Sequence, residues 1–511
     1  MYPVGIDLGT TFSAAAYIDE RGTTQMISSG EGELLTPSVA LFEGGQIVIG
    51  RDAKRARTTA TGHVAETAKR DMGQPRYRHP IHGRFLPPEV IQGYILRKIS
   101  GDIVAAIGES HQVVITVPAY FDEPRRKATA DAGQMSGLAV LDIVNEPTAA
   151  ALAFGERLGY LDTTGAPRDA QTLLVYDLGG GTFDVTVIRL EPGKFTTLAT
   201  DGDAELGGYD WDMRLVEHII QQFQDRHPQC PVPDETSRNN LRYVTEEAKH
   251  TLSDRQKTTI PFEFSGHSLD VSISRDEFEA MTADLIERTA FTTRQALMAA
   301  GVVWNDIDRL LLVGGSTRMP MIHRMLEELS GKTPDANVNP DEAVARGAAI
   351  YAQHLLSLSG IRGVSDGLKI TDVNAHSLGI EGVIQDTLRR ENVILIPRNT
   401  ALPAEVHRRF VTKQYDQRSV KIQLLEGEST LPDHCTPLAK AAIRNLPLGL
   451  PEGTEVDVCY RFEANGCLSV EARLPGRGKE AKIELERVRG LTDTGVDKWK
   501  KIISRDGGFD D

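Results

Sequence analysis

The chain has 511 residues, too many for one hydrophobic core, so two or three domains are expected. Hydrophobic residues make up 40% and charged residues 25%, the balance of an ordinary globular protein. A net charge of −15 argues against a nucleic-acid partner, because counterion release needs clustered Lys and Arg.

In chain order, Val4–Ser13 reads as a strand, an Asp (Asp7), and a tight glycine turn with Thr10 and Thr11. A second strand follows over Ala14–Ile18. Gln112–Val117 is an apolar strand ended by Pro118, and Arg125–Ser136 a helix closed by Gly137. Val140–Val144 is a strand leading through Asn145-Glu146-Pro147 into the Ala-rich helix Thr148–Phe154. Val175–Asp184 then nearly repeats the opening motif, with Asp177, the turn Gly179-Gly180-Gly181-Thr182, and a return strand over Val185–Leu190. Leu310–Val313 is a strand ending in Gly314-Gly315, with Ser316-Thr317 at the start of a helix that runs through Leu329. Alternation of this kind argues for α/β layers around a largely buried sheet.

Around Ser357–Gly367 the texture changes to a flexible linker rich in Gly and Ser. Beyond it the helical period disappears. Val420, Ile422 and Leu424 alternate with polar residues, as do Val456, Val458, Tyr460 and Phe462, and Ile483 with Leu485. Asn465-Gly466 is a hairpin turn, after which Leu468, Val470 and Ala472 resume the alternation. Val496, Trp499, Ile502 and Ile503 stand at helical spacing in Thr492–Ser504, and the tail from Gly507 is expected to be disordered. The expected units are residues 1–360, a linker over 361–373, a β-sandwich over 374–488, and a short helix with a tail over 489–511. The four cysteines form no CxxC pair, the first strand leaves no room for a leader, and no apolar run reaches membrane length. A cytoplasmic protein without a membrane partner is expected.

The two hairpins carry the chemistry. Glycines at such turns let backbone N–H groups approach phosphate oxygens, and the threonines add hydroxyl donors. Asp7 and Asp177 would repel phosphate, but carboxylates beside a polyphosphate commonly hold Mg²⁺ through retained waters. One such hairpin alone is equally well read as an ordinary turn capped by Asp. Two copies and a third glycine site weigh against that reading.

Seven runs in order then resemble the heat-shock protein 70 (DnaK-like) chaperone family: Gly5–Phe12, Val114–Phe121, Val144–Ala151, Asp177–Asp184, Gly207–Asp210, Leu312–Pro320 and Asn339–Ala345. The likeness covers residues 1–490 and looks like a short variant without the family's helical lid, of which only Thr492–Ser504 remains. It implies an actin-like (ribonuclease-H-like) α/β ATPase domain of two duplicated lobes, followed by an all-β sandwich substrate domain and a short C-terminal helix. It implies ATP hydrolysis coupled to binding and release of extended hydrophobic peptides, with ATP or ADP, Mg²⁺ and K⁺ as cofactors. By position, Asp7 and Asp177 match the Mg²⁺-water ligands. Gly9, Thr10 and Thr11, with Gly179, Gly180, Gly181 and Thr182, match the two phosphate loops. Lys69 matches the lysine at the γ-phosphate, Glu146 a carboxylate near metal and water, and Thr182 a residue beside the attacking water. Glu246, Lys249, Ser253, Gly314, Gly315, Ser316, Arg318 and Asp341 match nucleotide contacts, and His250 stands where the family has an arginine.

The resemblance also assigns a peptide groove to Ile380, Phe410, Val420 and Ile422. It assigns an interdomain linker to Leu368–Asp372, in which Leu368 and Ile370 would point inward and Lys369 and Thr371 outward. Glu381-Gly382-Val383 reads as a short loop on one side of the groove, while Arg408, Arg409 and Lys413 would disfavour basic peptides. Clients, a J-domain co-chaperone and a nucleotide exchange factor are the implied partners, although Asp142 replaces the arginine that J-domains use. Without a lid, peptide release would be fast. Rival readings are an actin-like filament ATPase, a sugar kinase of the same superfamily, and a regulatory ATPase weakly coupled to its β-domain.

Overall fold

A computed structural model describes residues 2–60, 62–109, 111–161, 169–335, 339–359, 367–383, 389–444, 446–474 and 480–505. Two mixed sheets organise the first part of the chain. In one, the strand Tyr2–Leu8 pairs antiparallel with Phe12–Ile18 and parallel with His111–Val117, which pairs in turn with Val140–Asn145. In the other, Gln171–Leu178 pairs antiparallel with Phe183–Glu191 and parallel with Arg309–Val313. Each hairpin is thus flanked by a parallel strand on the same side. These strands are buried on both faces, which is why they read as continuous apolar runs.

Two Ala-rich helices, Glu146–Leu158 and Ala343–Leu358, pack against the sheets and against each other at very short range. Gly5 and Gly347 permit this. A Cβ on Gly5 would lie 2.2 Å from Ala349 N, and one on Gly347 would lie 1.7 Å from Ala149 O. The first of these helices starts at Glu146, two residues before its expected start, with Asn145 as N-cap and Pro147 in the first turn. The expected helix over 125–136 is Glu123–Met135, capped by Asp122, whose side chain accepts from Arg125 N. Ser357, expected in the linker, belongs to the helix Ala343–Leu358, and most of that linker lies outside the described residues.

After the linker, eight strands curl into a sandwich, in the spatial order 390–396, 378–383, 420–426, 436–444, 480–487, 468–473, 455–462 and 404–411. Val456, Val458, Tyr460 and Phe462 are all buried in its core, as their alternation requires. The turn at Asn465-Gly466 joins Phe462 to Leu468, and Gly466 takes φ 77°. The backbone of Ile483 and Leu485 lies in the strand Glu480–Arg487. The helix Asp493–Ile503, capped by Thr492, buries Val496 and Ile503 against the helices Pro88–Ile107 and Glu123–Met135 of the first sheet's layer. The tail from residue 506 lies outside the described residues. No helix among the described residues is long and apolar enough to cross a membrane, and no disulfide joins the four cysteines.

Candidate active site

The two hairpin turns face each other across a cleft of about 730 Å³. Their glycines are dictated by contact. A Cβ on Gly9 would lie 2.0 Å from Phe12 O, and one on Gly180 1.9 Å from Thr11 Oγ1. Gly181 lies behind the cleft lining, where a Cβ would press on Thr10 at 2.6 Å. Gly314 carries φ 82°, and a Cβ there would lie 2.5 Å from Leu178 O and 2.8 Å from Asp177 Oδ1. The third loop departs from expectation: Gly315–Arg318 is a single 3₁₀ turn, and the α-helix begins only at Pro320. Ser316 Oγ ties this loop to the second hairpin by donating to Gly179 O at 2.9 Å.

At the cleft floor Lys69 Nζ donates to Glu146 Oε1 at 2.6 Å, and both residues are buried. Lys69 sits in a short 3₁₀ turn entered through Thr67 at φ 54°. Glu146 is the first residue of its helix, at the positive end of the helix dipole. Asp7 and Asp177 complete the floor, and Asp184 is buried beside Asp177 outside the cleft lining. Thr116 Oγ1 donates to Asp7 Oδ1 at 3.2 Å, and Tyr120 N to Asp184 Oδ1 at 2.7 Å. Desolvation, then Glu146, pushes Asp7 up to about 7, and the same two causes bring Asp184 to about 7. Asp177 is raised well above the usual carboxylate range by burial, Glu146, Asp184 and Asp7. Four carboxylates therefore converge on one lysine. That surplus of negative charge, with all-oxygen donors, fits a hard divalent cation such as Mg²⁺.

Glu246 and Lys249 share a face of the helix Glu235–Asp254, as their i,i+3 spacing predicts. Burial alone would raise Glu246, but Lys54, Arg57, Lys249 and Arg242 together hold it at about 2. Lys249 Nζ donates to Gly208 O at 2.8 Å and pairs with Asp212 at 2.7 Å. Arg318 pairs with Asp341 at 2.5 Å, and Ser253 Oγ donates to Lys249 O at 3.3 Å. His250 is exposed at the rim. Asp7, Gly9, Thr10, Thr11, Lys69, Glu146, Asp177, Gly179, Gly180 and Thr182 all line the cleft. So do Glu246, Lys249, Ser253, Gly314, Gly315, Ser316, Arg318 and Asp341. Sequence reasoning missed Asp184, Thr116 and a cross-cleft clasp: Lys54 (3.2 Å) and Arg57 (3.3 Å) reach Glu246 from the opposite side. The basic run Lys54–Arg57 looks like a solvated surface, and Asp184 stands where the first copy of the repeat has Ser13, so neither carried a usable signal.

In the sandwich, Ile380 and Ile422 are buried and Phe410 and Val420 half-buried in one apolar cluster. Glu381-Gly382-Val383, expected as a loop, instead continues the strand Leu378–Val383 and pairs with Arg390–Asn392. The linker forms a strand, Lys369–Thr371, parallel to Lys194–Thr196 at the edge of the second sheet. Leu368 and Ile370 pack into the core between the two mixed sheets and Lys369 is exposed, as the alternation predicts. Asp372 accepts from Asn145 Nδ2 at 2.7 Å and Thr148 Oγ1 at 2.8 Å, the residues flanking Glu146-Pro147. Asp142 accepts from Asn465 Nδ2, in the sandwich hairpin turn, at 2.7 Å.

A duplicated hairpin site on mixed sheets, joined through a docked strand to a β-sandwich, defines an ATPase coupled to a binding domain. The family model "Hsp70 protein" matches residues 3–84 and 74–505. The chaperone protein DnaK of Halobacterium salinarum, from each of two strains, is 39% identical over 506 residues, covering 98% of this chain and 77% of the relative. The chain belongs to the Hsp70 family. It is an ATP-dependent molecular chaperone and an ATP hydrolase, and it binds client polypeptides. The filament, sugar-kinase and purely regulatory readings are not favoured.

Proposed function

We propose that ATP lies in this cleft with its phosphates between the turns Gly9–Thr11 and Gly179–Thr182 and its adenosine end toward Glu246, Lys249, Ser253, Gly314, Gly315, Ser316 and Arg318. The observation that carries this reading is the convergence of four carboxylates on one lysine between two matching glycine turns. Asp7 and Asp177 would hold Mg²⁺ through water; bound there, the ion offsets phosphate charge and lowers the repulsion of an attacking nucleophile. Lys69, oriented by Glu146, directs its ammonium toward the γ-phosphate. Thr182 positions the attacking water, and the turn N–H groups hold the phosphate oxygens, so catalysis is positioning rather than covalent chemistry. Asp341 closes the far side through Arg318. K⁺ is the accompanying monovalent ion that the family resemblance adds.

An extended apolar peptide fits the cluster of Ile380, Phe410, Val420 and Ile422. Exposed Arg408, Arg409 and Lys413 disfavour basic peptides. Nucleotide state reaches this groove through Glu146, its helix start, Asp372 and the linker strand. The functional units are residues 1–360, 361–373 and 374–488, with a short helix after them. A J-domain co-chaperone adapted to Asp142, an exchange factor and a cytoplasmic setting complete the reading. Single-turnover ATP hydrolysis with and without an unfolded peptide tests it. Peptide stimulation, and loss of turnover in Lys69→Met, are expected; turnover indifferent to peptide would refute the coupling.

A further inference from the structure

One cluster lies outside both the cleft and the apolar cluster of the sandwich. On the strand Ala404–Val411, Glu405 and His407 alternate outward, and on Glu455–Phe462, Asp457 and Cys459 do the same. His407 and Cys459 are direct cross-strand partners. Their neighbours Val456, Val458 and Tyr460 point into the core, which fixes the four on the outer face. A carboxylate oxygen of Glu405, a ring nitrogen of His407 and Sγ of Cys459 all lie within 4.8 Å of one another. Ligands of a tetrahedral zinc ion stand about 3.3–3.8 Å apart, so side-chain rotation alone closes the set. His407 Nε2 lies 3.0 Å from Glu405 Oε1, while Nδ1 lies 3.2 Å from Asp457 Oδ2. A carboxylate on the far nitrogen is the arrangement that orients a metal-ligating imidazole. Arg461 occupies the other oxygen of Glu405 at 2.9 Å, leaving Oε1 toward the cluster.

We propose that Glu405, His407 and Cys459 form a surface site for a zinc-class divalent cation, with Asp457 orienting the imidazole and water completing the coordination. Ion pairing accounts for Glu405, Arg461, His407 and Asp457, and the Cys459 thiol hydrogen-bonds Glu405, which sets Sγ beside the carboxylate and imidazole that would share the ion. Burial and Glu405 hold the Cys459 thiol up, and Glu405 and Asp457 hold the His407 imidazolium up. Zinc takes a thiolate and a neutral imidazole, so binding releases a proton from Sγ and, at acid pH, one from the ring.

The test is titration of the reduced, chelator-stripped full chain with Co²⁺. One equivalent should give a thiolate-to-cobalt charge-transfer band that Zn²⁺ bleaches, with affinity at least about 10-fold weaker at pH 6 than at pH 8. Cys459→Ser and His407→Asn should abolish the band, Asp457→Asn should weaken binding about 10-fold or more, and Cys467→Ser should leave it intact. An unchanged thermal melt and unchanged peptide stimulation of ATP turnover in Cys459→Ser and His407→Asn show that the sandwich still folds. No band in the native chain, or a band that survives Cys459→Ser, would overturn the site.

Discussion

Asp372 is where the linker strand meets the start of the helix Glu146–Leu158, and removing its side chain should loosen the docked sandwich measurably. One oxygen accepts from both Asn145 and Thr148, at 2.7 and 2.8 Å, while the other accepts from Val373 N at 3.0 Å. Hydrogen bonds to a charged acceptor are worth about 1.5–3 kcal/mol each, less where water replaces the lost partner. For this half-buried site we take about 1–2 kcal/mol for each of the two interdomain bonds. Asp372→Ala should then shift the docked population by about 2–4 kcal/mol, or roughly 30- to 1,000-fold. Amide hydrogen exchange along Lys369–Thr371 reads this directly, because the amides bonded to the neighbouring strand are shielded only while the strand is docked. Lys369 N, for example, donates to Gly193 O at 2.8 Å. Protection should fall by that factor, and peptide stimulation of hydrolysis should fall with it. Unchanged protection in Asp372→Ala would refute the claim that this carboxylate holds the linker.

Gly314→Ala should destabilise the chain by about 2–4 kcal/mol and lower nucleotide affinity, since φ 82° and a Cβ 2.5 Å from Leu178 O leave no relaxed conformation; calorimetry with and without ATP checks both. Asp7 and Asp184 titrate near 7 in the fold against 3.8 for the ordinary group, so the folded state binds the extra protons. Stability of the nucleotide-free protein should therefore fall as pH rises from about 4 through 7 and level off above, and Mg²⁺ with ATP should flatten the slope in a thermal melt. Ile503→Ala opens a cavity where the terminal helix meets Gly93, costing about 2–4 kcal/mol of local stability. A red shift of Trp499 emission at unchanged ATP affinity is the expected signature.

The hairpins were legible because their information is local: an Asp, a glycine turn and a return strand lie within ten residues. The linker was legible for a similar reason, since four residues alternating in polarity suffice to say which side faces a core. The clasp of Lys54 and Arg57 on Glu246 was not, because its partners are distant in sequence and each looks like an ordinary surface charge. Asp142 shows the same limit: its partner Asn465 was read only as a turn residue, whereas the turn also delivers that amide to the other domain. The strand through Val383 was missed because Glu381 and Gly382 are poor strand formers overruled by cross-strand pairing. The 3₁₀ turn at Gly315 was missed because Gly-Gly-Ser-Thr is equally compatible with a helix start.

The terminal helix changes how the sandwich is held. The β-domain is moored to the ATPase side at its entrance by the strand Lys369–Thr371 and at its exit by Val496 and Ile503. Each mooring keeps the other, and the direct contacts between them such as Asn465 to Asp142, at high effective concentration, so losing one alone leaves the domain held by the rest. Full separation requires all of them to let go together, which makes release steep in whatever signal drives it.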